Sequence, residues 1–134
     1  MSGITDLERL LQSMSPQLLD QHFVFCSVDG SLADYLALEP LATFRENEGL
    51  TLVLEHQCAV ESGLAFDGVF RMITLNVHSS LDAVGLTAAV STQLAGQGIS
   101  ANVIAAYFHD HIFVPRGKAE AALAALEQLS IGSG

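Results

Sequence analysis

Between Phe70 and Gln97 the apolar residues change period once, and that change restricts the fold more than any other feature of the 134-residue chain. Ile73, Leu75 and Val77 alternate with Thr74 and Asn76, which predicts a strand from Phe70 to Val77 with one face in a core. Leu86, Val90 and Leu94 then recur one turn apart beside Ala83 and Thr87. A helix is therefore expected between Leu81 and Gln97, with Gly98 as its C-cap. Ile99 to Phe108 and His111 to Val114 bracket His109-Asp110 as a hairpin, and Ala119, Ala122, Leu123, Leu126 and Leu129 mark a closing helix. The order is strand, helix, hairpin, helix.

The first half reads as a weaker copy. Thr5 and Glu8 have capping-box spacing around Leu7, Leu10, Leu11 and Met14, predicting an amphipathic helix from about Thr5 to Met14 that Ser15-Pro16 ends. His22 to Val28 suits an inner strand covered on both sides, and Asp29-Gly30-Ser31 turns the chain. Leu41 to Arg45 and Leu50 to Leu54 pair as a hairpin around Asn47-Glu48-Gly49, and His56 to Ser62 makes two helical turns stopped by Gly63. Phe66-Asp67-Gly68 then resets the direction. Val28-Asp29-Gly30-Ser31-Leu32 and Val77-His78-Ser79-Ser80-Leu81 share Val-x-x-Ser-Leu at the end of a strand, each followed by a hairpin and a helix. Two similar units, the first with its crossing helix reduced to a stub near Leu32 to Leu38, account for the length.

The second unit has the split βαβ order of ferredoxin-like folds, and its words resemble those of ACT domains. Gly85 at the strand-to-helix turn and Gly98-Ile99-Ser100 after the helix match at the family's spacing. Asp110-His111-Ile112-Phe113-Val114-Pro115, leading into Ala121 to Leu126, is similar to the third strand and second helix of small tandem-ACT proteins related to amino-acid sensors. Glu48-Gly49-Leu50-Thr51-Leu52-Val53 resembles a strand-start word of the same group. The resemblance covers about Arg71 to Leu129 well and Phe23 to Ser62 weakly. Two departures stand out: Val84 occupies the place where most ACT domains have Pro, and no fourth strand is visible after Leu129, so one half or a partner subunit is expected to complete the other's sheet. The resemblance implies an α+β protein of two tandem ferredoxin-like βαββα(β) ACT-type units, the first reduced, with an antiparallel sheet and helices on one face. Residues 1–66 would form the reduced N-terminal half with its leading helix, and residues 67–134 the C-terminal ACT-like domain.

A helix N-terminus offers unpaired N–H groups and a favourable field to a carboxylate, which makes the loop from His78 to Leu86 the leading ligand site, and Gly85 would let the backbone come close. The resemblance implies the same loop, with His78, Ser79, Ser80, Asp82, Val84, Gly85 and Leu86, together with Ile99, Ser100 and Asn102 on the next strand. Asn102 would hydrogen-bond the ligand and Asp82 would accept from an ammonium group. The plain alternative makes Ser79 and Asp82 a capping box. Because it raises helix propensity, Gly85→Ala is expected to keep or raise the stability of the ligand-free protein, while Gly85→Val would strongly weaken any amino-acid response. The implied function is a non-catalytic regulatory module that binds a small ligand, an amino acid, near an ACT–ACT interface; the alternative is an interaction or dimerisation module without a ligand.

Composition narrows the partners. Half the residues are hydrophobic and 15% are charged, against roughly 25% in an average soluble protein, so a self-association face and a homodimer are expected. A formal charge of -10 repels phosphate backbones and anionic headgroups, which makes nucleic acid and membrane surfaces poor partners. No apolar run approaches the roughly 20 residues a membrane helix needs. Asp6, Glu8 and Arg9 stand where a leader would have its apolar core, and a cytoplasmic protein is expected. Cys26 and Cys58 have no framework spacing and read as buried thiols. His109-Asp110-His111 reads as a solvated turn with diverging side chains, so no metal is expected and changing both histidines to Ala should be nearly neutral. No nucleophile elbow, phosphate loop or placed Cys–His pair can be named, and neither an enzyme nor a cofactor is expected.

Overall fold

A computed structural model of the chain describes residues 6–78 and 83–132. In chain order it forms α1 (Leu7–Gln12), β1 (Pro16–Val28), β2 (Ala42–Glu46), β3 (Gly49–Glu55), α2 (His56–Glu61), β4 (Phe70–Leu75), α3 (Leu86–Ala95), β5 (Asn102–Ala105), β6 (Asp110–Pro115) and α4 (Ala119–Gly132). Short 3-10 helices cover Leu32–Leu38 and Arg116–Lys118. The chain divides into two compact units, Gln21–Phe70 and Met1–Asp20 with Arg71–Gly134.

In the unit Gln21–Phe70 the hydrogen-bonded strand order is β2-β3-β1, all antiparallel, with Val28 opposite Leu50 and Leu50 opposite Arg45. Alternation puts Val24 and Cys26 of β1 and Leu50, Leu52 and Leu54 of β3 on one face, where they pack with Ala59 of α2 and with Tyr35, Leu38 and Leu64. The expected stub of a crossing helix is the 3-10 helix Leu32–Leu38, which buries no residue fully. The expected helix from His56 is α2, and Gly63 follows it at φ 68°, the left-handed conformation that ends a helix at little cost.

In the other unit the order is β1-β4-β6-β5. The strand missing after Leu129 is thus the beginning of β1, supplied by the chain's own N-terminal stretch. Asn76 N–H donates to the carbonyl of Ser15 at 3.3 Å, the Asn76 amide donates to Gln17 Oε1 at 3.1 Å, and Arg71 reaches the carbonyl of Leu19. The expected strand began at His22; it begins at Pro16, because pairing with β4 holds these unpatterned residues extended. The helices cover one face of this unit's sheet. Ile73 and Leu75 of β4 and Ile112 and Val114 of β6 pack against Leu86, Val90 and Leu94 of α3, Ala122 and Leu126 of α4, and Leu10, Leu11 and Met14.

Local chemistry explains the helix ends. Asp6 caps α1, its Oδ1 accepting from Arg9 N–H at 3.3 Å; the expected cap at Thr5 lies outside the described residues. α3 starts later than the expected Leu81, directly after Gly85, and ends at Ala95; the turn that follows closes at Gly98, φ 70°, with Gly98 N–H donating to Ala95 O and Ile99 N–H to Leu94 O, both at 3.0 Å. This is the paired-bond C-cap that the Gly-Ile word predicts, and Ile99 is buried behind it. The fold is α+β and ferredoxin-like, with an antiparallel sheet, as expected. Among the described residues no helix is long and apolar enough to cross a membrane.

Candidate functional site

Each unit has a turn from a strand into a helix, and the two turns are built differently. In the turn ahead of α3, Val77 is buried and His78 half-buried, while Ser79, Ser80 and Asp82 lie outside the described residues. Val84 is 83% exposed and Leu86 joins the core. Gly85 takes φ 104° as the residue preceding the helix, and a Cβ placed on it would stand 3.1 Å from Leu7 Cδ2. A side chain there would be strained by the left-handed backbone and crowded by Leu7 of α1.

Across the next strand the candidates separate. Ile99 is buried in the same core as Leu86, Ser100 is exposed, and the Asn102 amide donates to the carbonyl of Phe113 at 3.3 Å. Among the described candidates Val84, Ser100 and Asn102 are exposed, and the Asn102 amide is already hydrogen-bonded. The His78 ring stands 5.2 Å from Phe108 and 6.3 Å from Tyr107, two aromatics exposed at the tip of the β5–β6 hairpin.

The hairpin overturns one expectation. The turn closes with Ala106 N–H donating to His109 O at 3.0 Å, so His111 lies inside β6 rather than on the turn. Two residues apart, the His109 and His111 rings stack at 6.5 Å with 22° between their planes instead of diverging. His111 Nδ1 lies 2.9 Å from the hydroxyl of Thr74, a residue placed by alternation on the polar face and in fact buried. Burial first, and then the charge of His109, lower the His111 pKa; Asp110 opposes both. Among the described residues no three His, Cys, Asp or Glu side chains come together as a metal site.

The turn of the other unit closes on itself. Gly30 at φ 103° brings Ser31 to Asp34, whose Oδ2 accepts from Ser31 N–H at 3.1 Å while Asp34 N–H donates to Ser31 O at 3.0 Å. The Tyr35 hydroxyl donates to the carbonyl of Asp29. Between this turn and the β2–β3 hairpin lies an open cavity of about 610 Å³, floored by Val28 and Leu50 and lined on the hairpin side by Arg45, Asn47 and Glu48. The sequence reading missed it, although one signal was available: Arg45 is the only Lys or Arg from Gln21 to Phe70. Both cysteines are free, and burial, then Cys58, raise the pKa of Cys26, as fits an inert thiol.

Arg71 is a structural cation that sequence reading passed over. Its guanidinium donates to the carbonyl of Leu19 from Nε at 3.2 Å and from Nη2 at 2.9 Å, and lies 3.9 Å from Asp20 and 3.8 Å from Glu120. Both carboxylates are exposed, so the backbone bonds carry most of its effect.

Comparison with known proteins agrees with this architecture. Models of the ACT domain match residues 2–71 and 69–128. A Vibrio cholerae protein of unknown function, described as a possible transport protein, is 61% identical and superposes with a TM-score of 0.87 over 96% of this chain and 99% of its own. An Agrobacterium tumefaciens protein, 15% identical, gives 0.68 over 86% and 87% of the two chains. The ligand-free regulatory subunit of aspartate kinase from Thermus thermophilus, 13% identical, gives 0.60 over 85% and 95%. No curated protein matches the sequence. With both halves matched, in a fold shared with regulatory subunits, the chain belongs to the ACT-domain family and consists of two ACT domains in tandem.

Proposed function

We propose that this protein is a non-catalytic regulatory module that senses a small ligand, an amino acid, and works as a homodimer in the cytoplasm. The observation that carries the reading is the tandem pair of ACT domains spanning residues 2–128, since tandem ACT domains are typically regulatory and ligand-binding. In the second domain the proposed ligand position is along the turn ahead of α3, with Val84, Ser100 and His78 as its proposed contacts. Ser79, Ser80 and Asp82 are the loop's further proposed contacts; Gly85 shapes its backbone, Leu86 and Ile99 support it from the core, and Asn102 supports it from β5. The low content of charged residues and high apolar content support self-association, while the net charge of -10 disfavours nucleic acid and anionic membranes.

A thermal-shift screen against the standard amino acids, with light scattering at micromolar concentration, tests the proposal. A ligand that binds only the folded state raises the midpoint, by about 2.7 kcal/mol of stabilisation at a hundredfold excess over Kd. If no amino acid raises it, the interaction module without a ligand takes first place. A monomeric mass throughout would remove the dimer.

A further inference from the structure

The β5–β6 hairpin sets two histidines side by side in the second domain. The turn closes between Ala106 and His109, and alternation then puts His109 and His111 on one face with Asp110 on the other. Their rings lie 6.5 Å apart and 22° from parallel. Nδ1 of His109 is buried and has no hydrogen-bond partner among the described residues. An unpartnered buried nitrogen is costly to keep, and a ring nitrogen that carries no proton can be satisfied by a cation.

His111 is held from its other side. Its Nδ1 lies 2.9 Å from the Thr74 hydroxyl, a group that can donate or accept. With Nδ1–H donating to Thr74 Oγ1, the neutral ring keeps its Nε2 lone pair for a metal ion, the way metal-bound histidines are commonly oriented. The walls are apolar: Ile104 stands opposite His111 in the β5–β6 register, and the Phe108 ring meets His109 edge-on at 6.5 Å. Among the described residues no third His, Cys, Asp or Glu joins the pair, so water must take the remaining positions and binding is weaker than at a closed structural site.

Ligand chemistry selects the ion. Mg2+ and Ca2+ require oxygen ligands, whereas imidazole suits Zn2+, Ni2+ and Cu2+. The formal charge of -10 attracts any cation without choosing among them. Two imidazoles on one tetrahedral ion have ring centres about 5–6 Å apart, so the pair closes by about 1 Å on binding. We infer that His109 and His111 form a two-histidine site for a divalent transition-metal ion of the zinc class, bound through His109 Nδ1 and His111 Nε2. It uses none of the residues proposed for the small ligand, so the two readings stand or fall separately.

Calorimetric titration of the metal-stripped full chain with zinc, nickel and magnesium chlorides tests the site, with the histidine ring signals followed by NMR. Zn2+ and Ni2+ should saturate at one ion per chain and shift the His109 and His111 signals ahead of the other histidines. Mg2+ should bind at least about a hundredfold more weakly. His109→Gln and His111→Gln should each weaken Zn2+ binding at least about tenfold, while His22→Ala, in the other domain, should leave it unchanged. His109→Gln removes no hydrogen bond to the Nδ1, so its folded spectrum should match the wild type and its binding can be read directly. No saturable binding below about 1 mM Zn2+, unchanged binding by His109→Gln, or Mg2+ displacing Zn2+ at equal concentration would each overturn the site and leave the proposed function untouched.

Discussion

Leu7 Cδ2 lies 3.1 Å from the point where a Cβ on Gly85 would stand, which joins the first helix to the turn ahead of α3. At an ordinary helix start an alanine would be neutral or favourable. At φ 104°, facing Leu7, it is strained and crowded. Gly85→Ala should therefore destabilise the protein by about 1–3 kcal/mol in urea unfolding. Leu7→Ala in the same chain should relieve the crowding and leave the backbone strain, so the double variant should stay below a Leu7→Ala single variant. Stability of Gly85→Ala at or above wild type would show that the turn readily adopts another conformation.

Arg71 fastens the beginning of β1 through two hydrogen bonds to one carbonyl. Arg71→Met keeps much of the apolar stem and removes the donors, and should cost about 1.5–3 kcal/mol, the range for hydrogen bonds to charged groups. Because Asp20 and Glu120 are exposed, added salt should change the wild-type value little. A loss that vanishes in high salt would mean that the ion pairs carry the effect instead.

His111 binds fewer protons folded than unfolded wherever its folded pKa lies below the ordinary value of 6.5. Its contribution to stability is fully present above that value and is lost as pH falls from it toward the lowered folded pKa. Unfolding midpoints compared between about pH 7.5 and pH 5 should fall in the wild type and fall less in His111→Gln. Equal slopes would show that the ring is not held neutral by its site. With the Thr74 hydroxyl left unpartnered, the variant should also be less stable at the higher pH by about 1–3 kcal/mol, so the histidine pair is not the neutral surface expected from sequence.

Asn102 separates support from ligand contact. Its amide bonds Phe113 O at the edge of the sheet, so Asn102→Ala should cost about 0.5–1.5 kcal/mol in stability. Any amino-acid affinity should change by less than in Ser100→Tyr, which crowds the exposed turn. The reverse order, measured by calorimetric titration, would move Asn102 from support to contact.

Most elements were legible because their signals are local. The period-2 run of β4, the one-turn repeat of Leu86, Val90 and Leu94, and the Gly98-Ile99 stop each report on neighbours along the chain. Misplaced features were those whose cause lies far away in sequence. Pro16 to Asp20 has no pattern of its own, and nothing in it names β4 as its partner. Thr74 looks like a surface residue until His111 arrives across the sheet.

By itself, then, the sequence determined the order of elements, the two-copy architecture and the family, since these follow from periodicity, turn residues and the spacing of short words. Tertiary structure alone decided which stretch supplies the last strand of the second domain, that a side chain at Gly85 would crowd Leu7, and that Arg45 lines a cavity. Those three depend on strand register and on contacts between residues distant in the chain, and register is a property of pairs that no single segment encodes.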